Sequence, residues 1–298
     1  MLKAKPFVKW AGGKGNLLAQ LESLLPTNFD ELTDVTYIEP FVGGGAMLFH
    51  MLNNHKNIRR VVINDINADL IRSYKLIKDN PNELVERLKM IEDNFYRFDD
   101  LGRRELYYAY RDQYNMEDID PNERSALFIF LNRTCFNGLY RVNSKGQFNV
   151  PYGRYRNPII CNEEVILADH ELLNSVEIVI KQPGDYKLVK MNLSRKGKNF
   201  IYFDPPYRPL SETSYFKDYS SLPFGDMEQC DLKAFCDTLS DKGCLIMLSN
   251  SDSKNADGSS FFEDLYENYD FQRIYAPRFI NAFPEKRIKL TEVLIRNY

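Results

Sequence analysis

The chain has 298 residues, 44% of them hydrophobic, and a formal net charge of −3. That is enough apolar material for one large domain, or one domain with an insertion, and no apolar run of about 18 residues or charged-then-apolar leader points to a membrane span or to secretion. Five cysteines (135, 161, 230, 236, 244) and three histidines (50, 55, 170) are scattered, which argues against a zinc site and for a reducing, cytoplasmic compartment.

In chain order, Lys3, Lys5, Lys9 and Lys14 precede the first acid, Glu22. Within this basic start, Lys9-Trp10-Ala11-Gly12-Gly13-Lys14 sets the only tryptophan between lysines and a Gly-Gly turn. A core anchor and a ligand-facing loop fit it equally. A helix is expected over 16–25 and a strand over 35–38. The strand runs into Glu39-Pro40-Phe41-Val42-Gly43-Gly44-Gly45 and then a helix over 46–53. Glycines at such a junction let the backbone approach a ligand closely, and the helix N-terminus favours an anionic group. The pattern suits mononucleotides, dinucleotides and S-adenosylmethionine, and it is not a Walker A loop. A second strand, 60–64, leads to Asp65, which is positioned to take the two ribose hydroxyls of an adenosine-type ligand or to cap the next helix.

Helical spacing follows over 68–79, 81–94, 103–114 and 121–132. Between Asp69 and about residue 157 no strand is evident, and we read the stretch as a helical insertion. From Arg124 to Cys161 it carries Arg124, Arg133, Arg141, Lys145, Arg154 and Arg156 with no acid. A basic face on a mildly acidic protein suits phosphate contact, although a merely solvated surface has the same composition. Strands are expected again at 176–181, 199–203, 244–249, 271–276 and 290–296, with a helix at 227–239. Strands alternating with helices indicate an α/β sheet.

The strand at 199–203 leads into Asp204-Pro205-Pro206-Tyr207. Two prolines hold a rigid extended turn. It would present the Asp204 carboxylate, the Pro205 carbonyl and the Tyr207 ring to one pocket. Those groups suit a flat heterocycle bearing an exocyclic amine, with two acceptors for the amine hydrogens and an aromatic face for stacking. An ordinary Pro-rich turn is the bland alternative.

Taken in order, the segment 9–14, the segment 39–45, Asp65 and Asp204-Pro205-Pro206-Tyr207 closely resemble the Dam-type DNA adenine-N6 methyltransferases, a family that recognises GATC. Leu131-Asn132-Arg133, Phe136-Asn137-Gly138-Leu139-Tyr140-Arg141 and residues 148–155 extend the likeness. The resemblance implies a Rossmann-like S-adenosylmethionine-dependent methyltransferase with a mostly parallel seven-stranded sheet. It also implies an inserted helical DNA-recognition domain carrying a β-hairpin. Residues 1–67 and 159–298 would form the catalytic part and 68–158 the recognition part.

On that resemblance, Asp204, Pro205, Pro206 and Tyr207 are catalytic. Trp10, Lys14, Phe41, Gly43, Gly44, Gly45, Asp65, Ile66, Asp185, Tyr186 and Asp204 bind S-adenosylmethionine and its product S-adenosylhomocysteine. Lys9, Arg133, Phe136, Asn137, Leu139, Arg141, Pro151 and Tyr155 meet DNA: Lys9 and Arg141 at guanines, Phe136 as an intercalating aromatic, and Leu139, Pro151 and Tyr155 against neighbouring bases. The expected partner is double-stranded DNA, with no metal, no membrane and a monomer in solution. Residues 208–222 are expected to order over an extruded base, and residues 278–287 depart from the Ser/Gly-rich turn usual in the family. Competing readings are an N4-cytosine or RNA base methyltransferase, a protein-glutamine methyltransferase, and a DNA-binding regulator with an inactive fold. Cytosine enzymes usually resemble Ser-Pro-Pro-Tyr, and glutamine enzymes Asn-Pro-Pro-Tyr.

Overall fold

Runs of β-branched and aromatic residues build the centre of the molecule, which a computed structural model describes for residues 2–208, 224–276 and 290–298. The strands are β1 (Val35–Glu39), β2 (Ile58–Ile63), β3 (Glu177–Ile180), β4 (Asn199–Phe203), β5 (Leu245–Ser251), β6 (Asp270–Ala276) and β7 (Leu290–Arg296). They form one seven-stranded sheet in the order β3-β2-β1-β4-β5-β7-β6. The first five are parallel, and β7 runs antiparallel between β5 and β6. Every residue of β1 and β4 is buried, as central parallel strands covered on both faces require.

The helices are α1 (Leu18–Glu22), α2 (Ala46–Asn54), α3 (Ala68–Asp79), α4 (Pro81–Tyr96), α5 (Asp100–Tyr114), α6 (Pro121–Thr134), α7 (Glu163–Asn174), α8 (Asp226–Ser240) and α9 (Phe261–Leu265). Alternation along the strands sorts the core into two layers. Tyr37, Phe200, Tyr202 and Met247 pack with residues of α2, α3 and α7. Ile38, Ile201, Phe203 and Leu248 pack with Leu232, Phe235 and Leu239 of α8 and with Phe262 of α9. This is a Rossmann-like methyltransferase fold. From β1 the chain winds outward through β2 and β3, then returns to β4 on the other side of β1. The strand order therefore reverses between β1 and β4, and a crevice opens at their carboxyl ends, the usual ligand position in such sheets.

Between β2 and β3 lies the expected helical insertion, built around α6. Residues Ser125 to Asn132 of this helix are all buried, which fits a helix surrounded by α3, α4 and α5. Its start is fixed by the Asp120 side chain, which accepts from Asn122 N–H and Glu123 N–H, with Pro121 at the first helical position. The Asn67 side chain caps α3 in the same way through Asp69 N–H and Leu70 N–H.

Two features differ from expectation. The β-hairpin after α6 is reduced to isolated antiparallel bridges, Val142 with Phe148 and Cys135 with Tyr152. Asn149 N–H donates to the Arg141 carbonyl and Asn143 N–H to the Gln147 carbonyl, so the backbone groups of Phe148 point away from Val142. Asn115 of the loop after α5 takes both backbone groups of Phe148, through Phe148 N–H to Asn115 Oδ1 (2.8 Å) and Asn115 Nδ2 to the Phe148 carbonyl (3.0 Å). Asn115 thus secures the outer edge of the short hairpin. The second difference is α7, which the apolar spacing does not reveal. Its stripe of Val165, Ile166 and Leu173 is interrupted by the buried Asp169, whose Oδ1 accepts Lys5 N–H at 3.0 Å. Apart from Arg208, the segment expected to close over a base lies outside the described residues, as does the 278–287 turn. No helix among the described residues is long and apolar enough to cross a membrane.

Candidate active site

The loop after β1 is shaped by what lies against it. Gly43 has φ +48°, and a Cβ there would lie 2.7 Å from the Trp10 ring. Gly45 has φ +78°, and a Cβ there would lie 2.4 Å from the Tyr74 hydroxyl. Only glycine tolerates both the backbone and the contact. Gly44 packs on Trp10 as well, and the Tyr74 hydroxyl of α3 donates to the Gly43 carbonyl at 3.1 Å. Asp65, just beyond β2, reaches across the crevice. Its Oδ2 accepts Gly43 N–H at 2.9 Å and its Oδ1 accepts Asn67 N–H at 2.8 Å. Burial raises the Asp65 carboxyl pKa against these N–H donors. Each oxygen keeps a further lone pair for a hydroxyl. Asp65 thus anchors the loop, while Asn67 is the residue that caps α3.

Other residues expected at the cofactor converge here. The Ile66 side chain is 66% exposed beside Asp65. Phe41 stacks on Tyr186, with centroids 5.2 Å apart and planes at 30°. Asn64 ties the two loops together, donating through Nδ2 to the Pro40 and Gly184 carbonyls. Asp185 is exposed and starts a short 3-10 helix, Tyr186–Asn192, by accepting Lys187 N–H at 2.7 Å.

At the end of β4, Asp204 is half-buried and Pro205 buried. Lys14 Nζ lies 2.8 Å from Asp204 Oδ1 and 4.5 Å from the Tyr207 ring centroid. It also donates to the Gly12 carbonyl at 2.9 Å. Burial pushes the Asp204 carboxyl pKa upward, against the opposing pull of Lys14. Ser249 Oγ donates to Asp204 Oδ1 at 3.4 Å and pairs with the buried Tyr202 hydroxyl. The Asp-Pro-Pro-Tyr backbone is pinned from α8 and β5. Gln229 donates to the Pro206 carbonyl, Arg208 N–H donates to Asn250 Oδ1, and Ser251 Oγ donates to the Arg208 carbonyl. Among the described residues no hydrogen bond reaches the Pro205 carbonyl. Beneath the site, burial lifts the Glu39 carboxyl pKa well above the usual carboxylate range, and Tyr37 donates to it at 2.7 Å.

Most residues expected at DNA form one exposed cluster. Phe136 is 51% and Leu139 41% exposed, on either side of the buried Gly138. Phe136 N–H donates to the Pro151 carbonyl, and Asn137 N–H donates to the Tyr155 hydroxyl. Lys9 Nζ lies 4.8 Å from the Tyr155 ring centroid. Arg141 donates to Asn149 Oδ1 at 2.7 Å, which orients its guanidinium. Arg133 instead points inward and donates to the Phe7 carbonyl at 2.6 Å. Arg124 is paired with Asp69, so part of the local basic charge is internal.

Residues that motif reading did not assign also converge here. The buried Asn132 accepts Lys9 N–H at 2.8 Å and donates to the Lys9 carbonyl (2.7 Å) and the Gly138 carbonyl (3.1 Å). Glu292 of β7 accepts the Tyr207 hydroxyl at 2.5 Å. The only hint of Glu292 in the sequence is a lone acid in the middle of an apolar strand.

Comparison with known proteins shows the family. The family model described as D12 class N6 adenine-specific DNA methyltransferase matches residues 10–279. The type II methyltransferase M.MjaIII of Methanocaldococcus jannaschii is 44% identical over the whole of both chains. The type II methyltransferase M1.LlaDCHI of Lactococcus lactis subsp. cremoris is 39% identical, over 100% of this chain and 96% of its own. The DNA adenine methylase of Haemophilus influenzae is 34% identical, over 98% of this chain and 93% of its own. The chain belongs to the D12 class of N6 adenine-specific DNA methyltransferases.

Proposed function

We propose that the protein transfers a methyl group from S-adenosylmethionine to N6 of an adenine extruded from duplex DNA, within the sequence GATC. The observation that carries this reading is the position of the Lys14 ammonium, 2.8 Å from Asp204 Oδ1 and 4.5 Å from the Tyr207 ring centroid. An N–H donor over an aromatic face and against a carboxylate is what an adenine amine would be in the same pocket. Lys14 stands in for the amine when no base is present.

The crevice between β1 and β4 suits the donor. The close-packed glycine loop, the Asp65 oxygens, the exposed Ile66 and the Phe41–Tyr186 pair would hold its adenosine half, next to Trp10 and Lys14. When bound, S-adenosylmethionine supplies a methyl group on a sulfonium centre. Asp204 and the Pro205 carbonyl accept the two N6 hydrogens and turn the nitrogen lone pair, otherwise delocalised into the ring, toward that methyl. Pro206 stiffens the turn, and Tyr207 stacks on the base. Asp204 is the nearest base for the proton that N6 sheds. Catalysis rests on positioning and electrostatics.

A duplex adenine has to leave the stack to reach this pocket, at a cost of a few kcal/mol. Phe136 is the aromatic that fills the gap. Arg141 and Lys9 read guanines, and Pro151, Leu139 and Tyr155 lie against neighbouring bases. Asn137 and Arg133 support this face, Arg133 through its bond to the Phe7 carbonyl. Residues 68–158 are on this reading the DNA-recognition part and the rest the catalytic part. Relatives named as methyltransferases or methylases occur in an archaeon, bacteria and a phage, and we assign the protein to the cytoplasm with its DNA substrate.

Transfer of tritium from labelled cofactor into defined duplexes tests the reading. Label is expected on adenine N6 of GATC duplexes. Asp204→Ala is expected to abolish incorporation while cofactor binding stays measurable. Near-normal turnover in that variant contradicts the assignment.

A further inference from the structure

The backbone on either side of Tyr207 is pinned through the Pro206 carbonyl and both backbone groups of Arg208. Its ring is a separate matter, because rotation about the side-chain torsions would swing the aromatic face away from the pocket. Two side chains meet that ring. Lys14 lies over the face, where a base has to stack. Glu292 holds the edge, with Oε2 2.5 Å from the phenol oxygen and 3.9 Å from Lys14 Nζ.

Glu292 is itself fixed from both sides. In β7 it pairs with Ser251 of β5 and Ile274 of β6, and the following residues Val293, Leu294 and Ile295 are fully buried. Its side chain is only 18% exposed. A carboxylate at that depth loses hydration, and strand packing alone would favour an apolar residue. What it gains is the phenol hydrogen bond and the nearby ammonium. The phenol is held as a donor, because burial keeps the Tyr207 pKa well above its ordinary value.

We infer that Glu292 is a positioning residue for methyl transfer: it clamps the Tyr207 phenol so that the ring face stays turned toward the target base. The inference rests on the reading of Tyr207 as the residue that stacks on that base. Glu292 acts on the reaction chiefly through Tyr207; its charge also raises the Asp204 carboxyl pKa, an effect that Glu292→Gln removes while keeping the hydrogen bond.

The test is a double-mutant cycle in the full-length protein, using a GATC duplex and saturating S-adenosylmethionine. Glu292→Ala is expected to lower kcat about 10- to 100-fold, the scale of an ångström-level misplacement, with cofactor affinity and melting temperature near wild type. Tyr207→Phe keeps the ring but loses the same hydrogen bond, so its loss should be comparable and the double variant no worse than the poorer single one. Glu292→Gln offers an amide oxygen to the phenol. It should recover most of the activity when Tyr207 is intact and change nothing when combined with Tyr207→Phe. Should Glu292→Ala not fold, that Gln comparison carries the test alone. Wild-type turnover in Glu292→Ala, losses that multiply, or a Gln variant as poor as the Ala one overturn the inference. Adenine methylation by the wild-type protein is measured first. If it is absent, the functional reading fails and this inference with it; if it is present without coupling, only the inference fails.

Discussion

Asp204 meets two opposed influences, and the balance between them has a measurable consequence. Burial favours its neutral form, and Lys14 favours its charged form. To take the proton that N6 sheds, Asp204 has to be ionised, so turnover should be lost as the pH falls through the raised Asp204 pKa. Lys14→Met removes the opposing positive charge and leaves the burial effect in place, so Asp204 takes up its proton at a higher pH. At saturating cofactor, the acid limb of kcat/KM for DNA, which reports the enzyme before the base enters, is therefore expected to move to higher pH in that variant. An acid limb that stays where it is in wild type would show that Asp204 ionisation does not limit the reaction. Glu39 shows the other limit of the same physics. It lies deeper than Asp204 and has the Tyr37 hydroxyl for a partner instead of an ammonium, and burial lifts its pKa well above the usual carboxylate range.

Among the elements, α6 does more than fill the middle of the helical insertion. Its C-terminal turn presents Asn132, whose amide joins the N-terminal segment at Lys9 to the turn at Gly138 that carries Phe136 and Leu139. Asn132→Ala leaves three backbone groups without partners and is expected to destabilise the protein by about 2–3 kcal/mol in urea unfolding. Because Lys9 and the Phe136–Gly138 turn would then shift against each other, kcat/KM should also discriminate less between GATC and singly substituted sites. Full discrimination in a folded Asn132→Ala protein would contradict this role. Elements whose cause is local were legible in the sequence: the seven strands from their β-branched and aromatic runs, the glycine loop, and the Asp-Pro-Pro-Tyr turn. Contacts between distant residues were not. Asn132 and Lys9 are 123 positions apart, and Tyr207 and Glu292 are 85 apart, so neither pair leaves a local pattern. The α7 stripe was hidden by Asp169.

At the scale of the whole molecule, the N-terminal segment joins the sheet to the helical insertion. Trp10 packs against Gly43 and Gly44 on one side and against Phe128 and Tyr140 on the other, at 6.2 and 5.5 Å between centroids. The residues beside it, Lys9 and Lys14, meet Tyr155 of the exposed cluster and Asp204 of the turn after β4 respectively. One short segment thus touches the glycine loop, the turn after β4 and the exposed Phe136–Tyr155 surface. The exposed charges of that surface, Lys145, Arg154 and Arg156, are suited to phosphates and carry no sequence information themselves, so the recognised sequence has to come from the groups at the base edges. The most direct test is therefore a map of modified bases in DNA from cells that express the protein and have no other adenine methylation. N6-methyladenine in GATC, and its disappearance with Asp204→Ala, is the expected result. Methylated cytosine, or methyladenine confined to sites other than GATC, would contradict it.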